Sequence, residues 1–219
     1  MSEFSEIEEM YLKTIFEVHT ESPGEIVKTT QIADLMGVSA ASVTEMVQRL
    51  SLRDMITHIP YRGCRLTTDG FQLAARIKRR EGLLEVLLTD VIGYKGDVKG
   101  VACKMEHAVG IELEETLDRL LGYPETTITG EKIPSIERDF ETVGVGTLLP
   151  IRSLPEGSSA IVEMIVANQV DSFTINNCGI SVGASISVSA GTFTSGDIEI
   201  AISESISQKI LARITSMGD

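Results

Sequence analysis

The chain has 219 residues, with 19 basic and 32 acidic side chains and a formal net charge of −13 at pH 7. This length predicts two or three compact units, and ordinary shares of hydrophobic residues (42%) and charged residues (23%) exclude a disordered chain. No apolar run approaches the ~18 residues that a membrane-spanning helix needs. We therefore expect no membrane partner.

The N-terminal segment and the cysteines bear on the cellular compartment. The segment MSEFSEIEEM is acidic and lacks the basic-then-apolar order of a signal peptide. Cys64, Cys103 and Cys178 are odd in number and far apart, which is typical of reduced thiols rather than of a disulfide framework. We therefore expect a cytoplasmic protein.

The negative charge is distributed unevenly along the chain. Residues 1–80 hold 10 basic and 11 acidic side chains, whereas residues 81–140 hold 6 and 13 and residues 141–219 hold 3 and 8. Because phosphate neutralisation carries much of the affinity for nucleic acid, a strongly acidic chain is a poor DNA binder as a whole. The nearly balanced first third can still contain a DNA-binding module.

Helical patterns and turns alternate through the first 72 residues. A first helix is followed by a break at Ser22-Pro23-Gly24, a second helix by Gly37, and a third begins at Ser39, a favoured capping residue. The segment MITHIPYRGCRLT then alternates around a turn at Tyr61-Arg62-Gly63, which predicts a short hairpin.

Two short helices joined by a glycine turn and followed by a basic hairpin give the order of a winged helix-turn-helix. Its second helix would present small groups at its N-terminus to the base edges of the major groove, while arginines meet phosphates. Glu45 is unusual there, because a carboxylate accepts only from a cytosine amino group. The alternative is a purely structural helix pair. The candidate DNA-contacting residues are Thr30, Ser39, Ala40, Ala41, Ser42, Thr44, Glu45, Arg49, Arg62 and Arg65.

Residues 73–140 are predicted to be helical and contain a metal-ligand pattern. Within a helix, Cys103, Glu106 and His107 are spaced i, i+3 and i+4, so they share one face. That face presents a thiol, a carboxylate and an imidazole, each able to bind a divalent transition metal. The alternative interpretation is a buried cysteine beside a solvated Glu-His pair.

The last third, residues 141–219, changes character. Ser, Gly, Thr, Val and Ile dominate, and alternating stretches such as ISVSA and IEIAI predict half-buried strands. We expect a small β-barrel there. The fold class predicted for the whole chain is multi-domain and mainly α, with a β C-terminal domain.

Several motifs in this order resemble the DtxR/IdeR/MntR family of metal-dependent transcriptional repressors. The first helix, recognition helix, wing, dimerisation helices and tail each resemble their family counterparts. The motifs are EMYLKTI from Glu9, VSAASVTEMVQRL from Val38, YRG from Tyr61, LLTDVIG from Leu87, ACKMEH from Ala102 and the tail from Leu154-Pro155-Glu156-Gly157 to Gly183. The resemblance implies a winged-helix domain over 1–72, a helical dimerisation and metal-binding domain over 73–140 and an SH3-like domain over 141–219.

The resemblance also implies a primary, activating metal site made of Met10, Cys103, Glu106 and His107. Met10 would otherwise be read as a core residue. The iron branch of the family carries Met and Cys at these two positions, and the manganese branch carries Asp and Glu. A thioether and a thiolate also suit a softer ion than Mn²⁺. Fe²⁺ is therefore expected, with Co²⁺, Ni²⁺ or Zn²⁺ able to occupy the site in vitro.

A second, ancillary family site is altered in this sequence. Its Glu is present as Glu85, but its two histidine positions hold Glu81 and Lys99. A lysine ammonium there would repel a cation and could pair with Glu81 or Glu85; alternatively Lys99 points to solvent. An ancillary site of the usual composition is not expected.

These observations together predict a homodimeric repressor, not an enzyme, that binds a palindromic operator in double-stranded DNA when Fe²⁺ is available. The metal would link the first helix to the dimerisation domain. The alternatives are a manganese-responsive repressor, a metal-independent regulator and an iron enzyme, for which no second metal-binding histidine is available. The candidate dimer seam, which could equally be core, comprises Leu73, Ile77, Leu84, Leu87, Leu88 and Val91.

Overall fold

The computed structural model describes residues 4–135, 143–167, 169–196 and 198–218. The chain divides into two compact units. The first comprises Met1–Glu81, Lys104–Gly110 and Pro134–Ile136, and the second comprises Gly82–Cys103, Ile111–Ile133 and Glu137–Asp219. None of the described helices is long and apolar enough to cross a bilayer.

The first unit contains a three-helix cluster followed by a hairpin. Its elements are α1 (Glu6–Glu21), α2 (Thr29–Met36), α3 (Ala40–Leu52), β1 (Ile56–Ile59) and β2 (Gly63–Leu66). The apolar positions of the three helices pack together with the hairpin into one core, which includes Leu12, Ile15, Ile32, Val43, Val47, Leu50, Ile56 and Cys64. Gly37 ends α2 in the left-handed conformation with φ +65°, as its place in the sequence predicts. The predicted winged helix-turn-helix is confirmed.

The hairpin is tied to the segment before α2. Val27 and Cys64 exchange two backbone hydrogen bonds of 3.0 and 2.9 Å, outside the antiparallel β1–β2 pairing. At Gly63, φ is +133° and a Cβ would collide with the carbonyl of Val27, so only glycine allows this approach. A single position of the wing therefore sets how closely the hairpin lies against the helices.

Three further helices follow the hairpin. They are α4 (Thr68–Val86), extended by a π-helical turn over Leu87–Val91; α5 (Val98–Met105), extended by a 3₁₀ turn over Glu106–Ala108; and α6 (Ile111–Leu120). The predicted domain boundary at residues 72 and 73 lies within α4, and the one at 140 lies outside the described residues. Ile77 and Leu84 are only 1% and 2% exposed in the single chain. These two are core, so the predicted dimer seam cannot include them.

The C-terminal part of the second unit is an antiparallel sheet. Its strands are β3 (Leu148–Pro150), β4 (Ser159–Ile165), β5 (Ser185–Ser189), β6 (Thr192–Ser195), β7 (Ile198–Ile200) and β8 (Ile210–Ser216), in the order β3-β8-β4-β5-β6-β7. Helices α7 (Gln169–Asn177) and α8 (Glu204–Ser207) lie between strands in the sequence. The inward residues Ile151, Val162, Ile175, Ile186 and Ile210 belong to its apolar core. The predicted fold class, mainly α with a β C-terminal domain, is confirmed.

Candidate metal centre and nucleic-acid interface

The first turn of α1 is fixed by a capping box. Ser5 accepts a hydrogen bond from the backbone N–H of Glu8, and the Glu8 carboxylate accepts one from the backbone N–H of Ser5. The helix therefore begins sharply and presents Glu9 and Lys13, four residues apart, on one face. Both are buried, whereas Met10 is 39% exposed.

The Glu106–Ala108 turn places a carboxylate and an imidazole next to α1. His107 Nδ1 lies 2.6 Å from Oε2 of Glu9, and His107 Nε2 lies 3.5 Å from Oε1 of Glu106. The contact with Glu9 fixes the orientation of the ring and leaves Nε2 facing Glu106. Metal-binding histidines in proteins are usually held in this way by a carboxylate on the other ring nitrogen.

Glu106 and its neighbours form a buried ionic cluster. The Lys13 ammonium donates to Oε1 of Glu106 at 2.6 Å and to Oε1 of Glu81 at 3.1 Å. The Lys78 ammonium donates to Oε2 of Glu81 at 2.7 Å and to Oε1 of Glu17 at 2.8 Å. Positive and negative groups thus alternate along the cluster, which compensates the cost of burying each charge.

Burial and pairing oppose each other in this cluster. Burial raises the pKa of Glu106 to about 7, although the adjacent Lys13 ammonium acts to lower it. Burial also acts to lower the pKa of Lys13, but hydrogen bonding and charge from Glu106 and Glu81 outweigh it and raise that pKa above its ordinary value. The pKa of Glu81 is lowered, because its contacts with Lys78 and Lys13 outweigh its burial. Lys13 therefore stays cationic at neutral pH.

The donor set near α1 suits a divalent transition metal. Oε2 of Glu106 is buried and has no hydrogen-bond partner among the described residues. Nε2 of His107 faces the same carboxylate, and the Met10 thioether lies on α1 one residue after Glu9. Within the described chain, however, no three His, Cys, Asp or Glu side chains are already gathered as a metal site. The chemistry of these donors suits a metal ion, but one of them, the Glu106 carboxylate, already accepts a hydrogen bond from Lys13.

Cys103 occupies α5 and is half-buried. The α-helix ends at Met105 and the chain continues as a 3₁₀ turn, so the predicted i, i+3, i+4 spacing does not run along one continuous α-helix. The predicted roles of Glu106 and His107 as ligands stay predictions. The predicted role of Cys103 as a ligand stays a prediction.

The predicted ancillary residues are arranged differently from the expected lysine–glutamate pairing. Lys99 Nζ lies 3.6 Å from Oε2 of Glu131, and both side chains are substantially exposed. Glu81 pairs instead with Lys13 and Lys78. Glu81 thus turns toward the ammonium groups of α1 and α4, and the 64% exposed side chain of Lys99 agrees with the alternative in which Lys99 points to solvent. Glu85 is buried.

The exposed face of α3 carries the predicted base-reading side chains. Val43, Val47 and Leu50 are buried on its other face, so the amphipathic pattern orients the helix. Ser39 caps the helix by accepting from the backbone N–H of Ser42 at 3.1 Å. The predicted DNA-contacting residues all lie at exposed positions: Thr30, Ser39, Ala40, Ala41, Ser42, Thr44, Glu45, Arg49, Arg62 and Arg65.

An open cleft of about 580 Å³ lies between the N-terminus of α2 and the hairpin tip. Arg62, Arg65 and Lys28 line it, together with Gly24, Glu25, Ile26, Thr29, Thr30 and Tyr61. The N-cap residue of α2, Lys28, makes no side-chain capping hydrogen bond to the first turn of this helix. Three cations beside a helix N-terminus suit a phosphate group. Lys28 is not among the DNA-contacting residues predicted from the sequence.

A buried glutamate joins α1 to two arginines of the recognition-helix region. Oε1 of Glu8 lies 3.0 Å from Nε of Arg49 and 3.1 Å from Nη1 of Arg53. The side chain of Arg49 is still 61% exposed, so it can contact a phosphate while held by Glu8. Glu8, Glu9 and Lys13 are also absent from the sequence-based predictions. The only signal in the sequence is the four-residue spacing of Glu9 and Lys13, which places them on one face of α1.

Comparisons with known proteins identify the family. The model described as "Iron dependent repressor, N-terminal DNA binding domain" matches residues 3–64, and "Iron dependent repressor, metal binding and dimerisation domain" matches residues 67–135. The diphtheria toxin repressor of Corynebacterium efficiens is 30% identical over 202 residues, which are 86% of this chain and 85% of that protein. The chain belongs to the diphtheria toxin repressor family.

Other family members and solved structures agree with this assignment. The iron-dependent repressor IdeR of Mycobacterium tuberculosis is 31% identical over 171 residues, covering 74% of this chain and 72% of that protein. The structure of ScaR with bound Zn²⁺ matches with a TM-score of 0.52 and 26% identity, over 94% of this chain and 98% of that one. A manganese-dependent transcriptional repressor in complex with manganese shares the fold, with a TM-score of 0.54 and 24% identity, over 94% and 99% of the two chains.

Family membership confirms several predictions. The chain is a metal-dependent, DNA-binding transcriptional repressor of the diphtheria toxin repressor family, and not an enzyme. The matched DNA-binding and dimerisation domains give it DNA and a second copy of itself as partners.

Proposed function

We propose that this family member is an iron(II)-activated repressor that binds a palindromic operator as a homodimer and controls metal homeostasis genes. Met10, Cys103, Glu106 and His107 are the proposed ligands of the activating ion. The observation that carries the proposal is the orientation of His107, whose Nδ1 contacts Glu9 while Nε2 is directed toward Glu106.

The choice of iron rests on ligand chemistry. The thioether of Met10 and the thiolate of Cys103 are soft donors, whereas Mn²⁺ prefers carboxylates and water. The curated relatives include a repressor named for iron dependence, which supports the same ion. Manganese is the second candidate, because a manganese-dependent repressor has the same fold.

The chain's own residues suggest how metal and DNA binding are coupled. A bound divalent cation supplies a Lewis-acidic centre that can hold donors from separate segments together. Met10 on α1 and the Glu106–His107 turn would then be fixed relative to each other. Glu8, two residues before Met10, holds Arg49 of the recognition helix. Fixing α1 therefore lowers the ordering cost of placing α3 on DNA.

The test is operator binding measured by gel shift with Fe²⁺, Mn²⁺, Zn²⁺ or a chelator, the Fe²⁺ samples being kept anaerobic. We expect retardation with Fe²⁺ and none with the chelator. The Cys103→Ala and Glu106→Ala variants should remain dimeric by light scattering yet lose the response to metal. Normal binding by either variant at low metal concentration would show that the ligand assignment is wrong.

The preference for iron has its own test. Met10→Asp combined with Cys103→Glu replaces soft donors with hard ones, so the metal concentration for half-maximal DNA binding should fall for Mn²⁺ relative to Fe²⁺. Each single variant serves as a control for the other substitution. An unchanged ratio of the two concentrations in the double variant contradicts the proposed basis of selectivity.

A further inference from the structure

A series of five ion-paired side chains ends at one carboxylate of the proposed metal site. In order they are Glu106, Lys13, Glu81, Lys78 and Glu17, with N···O distances of 2.6, 3.1, 2.7 and 2.8 Å. The first four are nearly inaccessible to solvent, and only the Glu17 side chain is substantially exposed, at 40%. Buried charges of this kind interact strongly, because little water screens them.

We infer that Lys13 is an internal cation that competes with the metal for Glu106, and that Glu81 is the acceptor that retains Lys13 when a metal binds. The inference rests on the proposed metal site and adds two residues that set its affinity. Lys13 and Glu81 act as positioning residues rather than as ligands.

The competition follows from the contact between Lys13 and Glu106. The ammonium donates to Oε1 of Glu106 at 2.6 Å, the shortest contact in the series. A divalent cation on the same carboxylate is repelled by an ammonium at that distance, and the repulsion is large in a buried environment. A metal on the unpartnered Oε2 of Glu106 is therefore bound more tightly when the ammonium moves away from Oε1.

Glu81 makes that movement inexpensive. Its Oε1 already accepts from Lys13 at 3.1 Å, so a short shift of the ammonium strengthens this contact as the one with Glu106 is lost. Loss of one acceptor from a buried ammonium is unfavourable unless another contact strengthens in its place. Glu81 thus keeps Lys13 paired in both states.

The contacts of Glu81 with two lysines argue against Glu81 as a metal ligand. Oε1 of Glu81 accepts from Lys13 and Oε2 accepts from Lys78. A metal bound to Glu81 would have to displace ammonium groups from both oxygens. Glu81 is therefore a counter-ion for lysines, not a replacement for a histidine of an ancillary site.

The consequence is a repressor with a raised metal threshold. The internal cation neutralises Glu106 while no metal is bound, which keeps the metal-free cluster folded. It also weakens metal binding, so the site fills only when the free metal concentration is higher. Replacing Lys13 by an uncharged residue should therefore lower the free metal concentration at which the site fills, while the metal ligands stay the same.

The experiment is calorimetric titration of the full chain with Co²⁺ at about pH 8, where ordinary carboxylates are ionised. Lys13→Met removes the competing charge and should lower the Kd at least about tenfold, or about 1.4 kcal/mol. Lys13→Arg keeps the charge and should bind nearly as the wild type does. Lys95→Met removes an exposed cation outside both proposed sites as a control for net charge, and its Kd should stay within about twofold.

Glu81→Gln provides an independent variant in case Lys13→Met does not fold. Gln still accepts a hydrogen bond but holds an ammonium less strongly, so Lys13 stays on Glu106 and the Kd should rise severalfold. In a Lys13→Met background the same change should have no effect on the Kd, since the Lys13 ammonium is gone and Lys78, which also contacts Glu81, does not contact Glu106. Circular dichroism verifies the fold of each variant.

The outcomes separate this inference from the proposed function. An unchanged or higher Kd in folded Lys13→Met overturns the inference. So does an equal effect of Glu81→Gln in both backgrounds, because Glu81 would then act on the metal directly. Absence of Co²⁺ binding to the wild type contradicts the proposed metal site as well.

Discussion

At the residue scale, two neighbouring glutamates of α1 serve different partners. Glu8 contacts Arg49 and Arg53, and Glu9 contacts His107. Consecutive positions on a helix point about 100° apart, so adjacent carboxylates can meet separate segments. One short stretch of α1 therefore contacts both the predicted DNA-reading helix and a proposed metal ligand.

Glu8→Gln tests the charge at the first of these contacts. Burial acts to raise the pKa of Glu8, but hydrogen bonds from Ser5 and Arg53 and the charge of Arg49 lower it below the ordinary value. A lowered folded-state pKa stabilises the protein above the unfolded pKa, and this stabilisation is lost as pH falls through the folded value. We expect Glu8→Gln to lower the free energy of unfolding by about 1 kcal/mol at pH 7.

Urea unfolding at neutral pH and near pH 3.5 measures the difference in unfolding free energy between the wild type and Glu8→Gln. This difference should be smaller near pH 3.5, below the unfolded-state pKa, because the wild-type carboxylate also begins to bind a proton there. Glu6→Gln, an exposed carboxylate on the same helix, is the control and should have little effect at either pH. A difference of equal size at both pH values would mean that the charge of Glu8 is not what stabilises the contact.

At the element scale, the close approach of the wing to the helices depends on Gly63. Its positive φ and the nearby carbonyl of Val27 leave no room for a Cβ. Gly24 also has a positive φ, of +88°, but nothing lies within 4 Å of an added Cβ. An alanine at position 24 would therefore report backbone strain alone, whereas one at position 63 would report strain together with a steric collision.

We expect Gly24→Ala to cost about 1 kcal/mol of unfolding free energy, which is the strain of a left-handed alanine. Gly63→Ala should cost more, about 3 kcal/mol, because the Val27–Cys64 backbone pairing must also break. Chemical denaturation of the two variants measures both values. Equal costs would show that the wing can move away from Val27 without penalty.

The wing also supplies the clearest electrostatic test of the nucleic-acid interface. Arg62 is exposed at the cleft beside α2, where it suits a phosphate. Arg62→Ala should weaken binding to operator and non-operator DNA by similar factors. It should also reduce the slope of log K for DNA binding against log salt concentration by about 1. Fluorescence anisotropy at several salt concentrations measures this. Lys95→Ala, an exposed cation outside the winged helix, is the control, and a loss confined to operator DNA would indicate base reading instead.

At the scale of the whole molecule, metal and DNA binding must be linked in both directions. If a metal raises the affinity for operator DNA by some factor, operator DNA raises the affinity for that metal by the same factor. We expect Co²⁺ titrations with and without operator to differ in Kd by the factor that the metal produces in DNA binding. Non-operator DNA of equal length is the control. If the factor by which metal raises DNA affinity differs from the factor by which DNA raises metal affinity, with the protein dimeric in both measurements, a single coupled equilibrium is excluded.

The sequence by itself determined the elements and their order. The apolar spacing of Val43, Val47 and Leu50 was enough to place the recognition helix and its exposed face, because helical periodicity is a local property. The capping residue Ser39 and the closing Gly37 likewise follow from local backbone chemistry. The family resemblance rests on these same local motifs.

Only the tertiary structure decided which charges meet. Lys13 and Glu106 are 93 positions apart in the sequence and Glu9 and His107 are 98 apart, and no periodicity links residues across such distances. One alternative from the sequence paired Glu81 with Lys99, but in the structure Glu81 contacts Lys13 of α1 and Lys78 of α4. A charge in a sequence has many possible partners, and burial selects among them because an unpaired buried charge is too costly to keep.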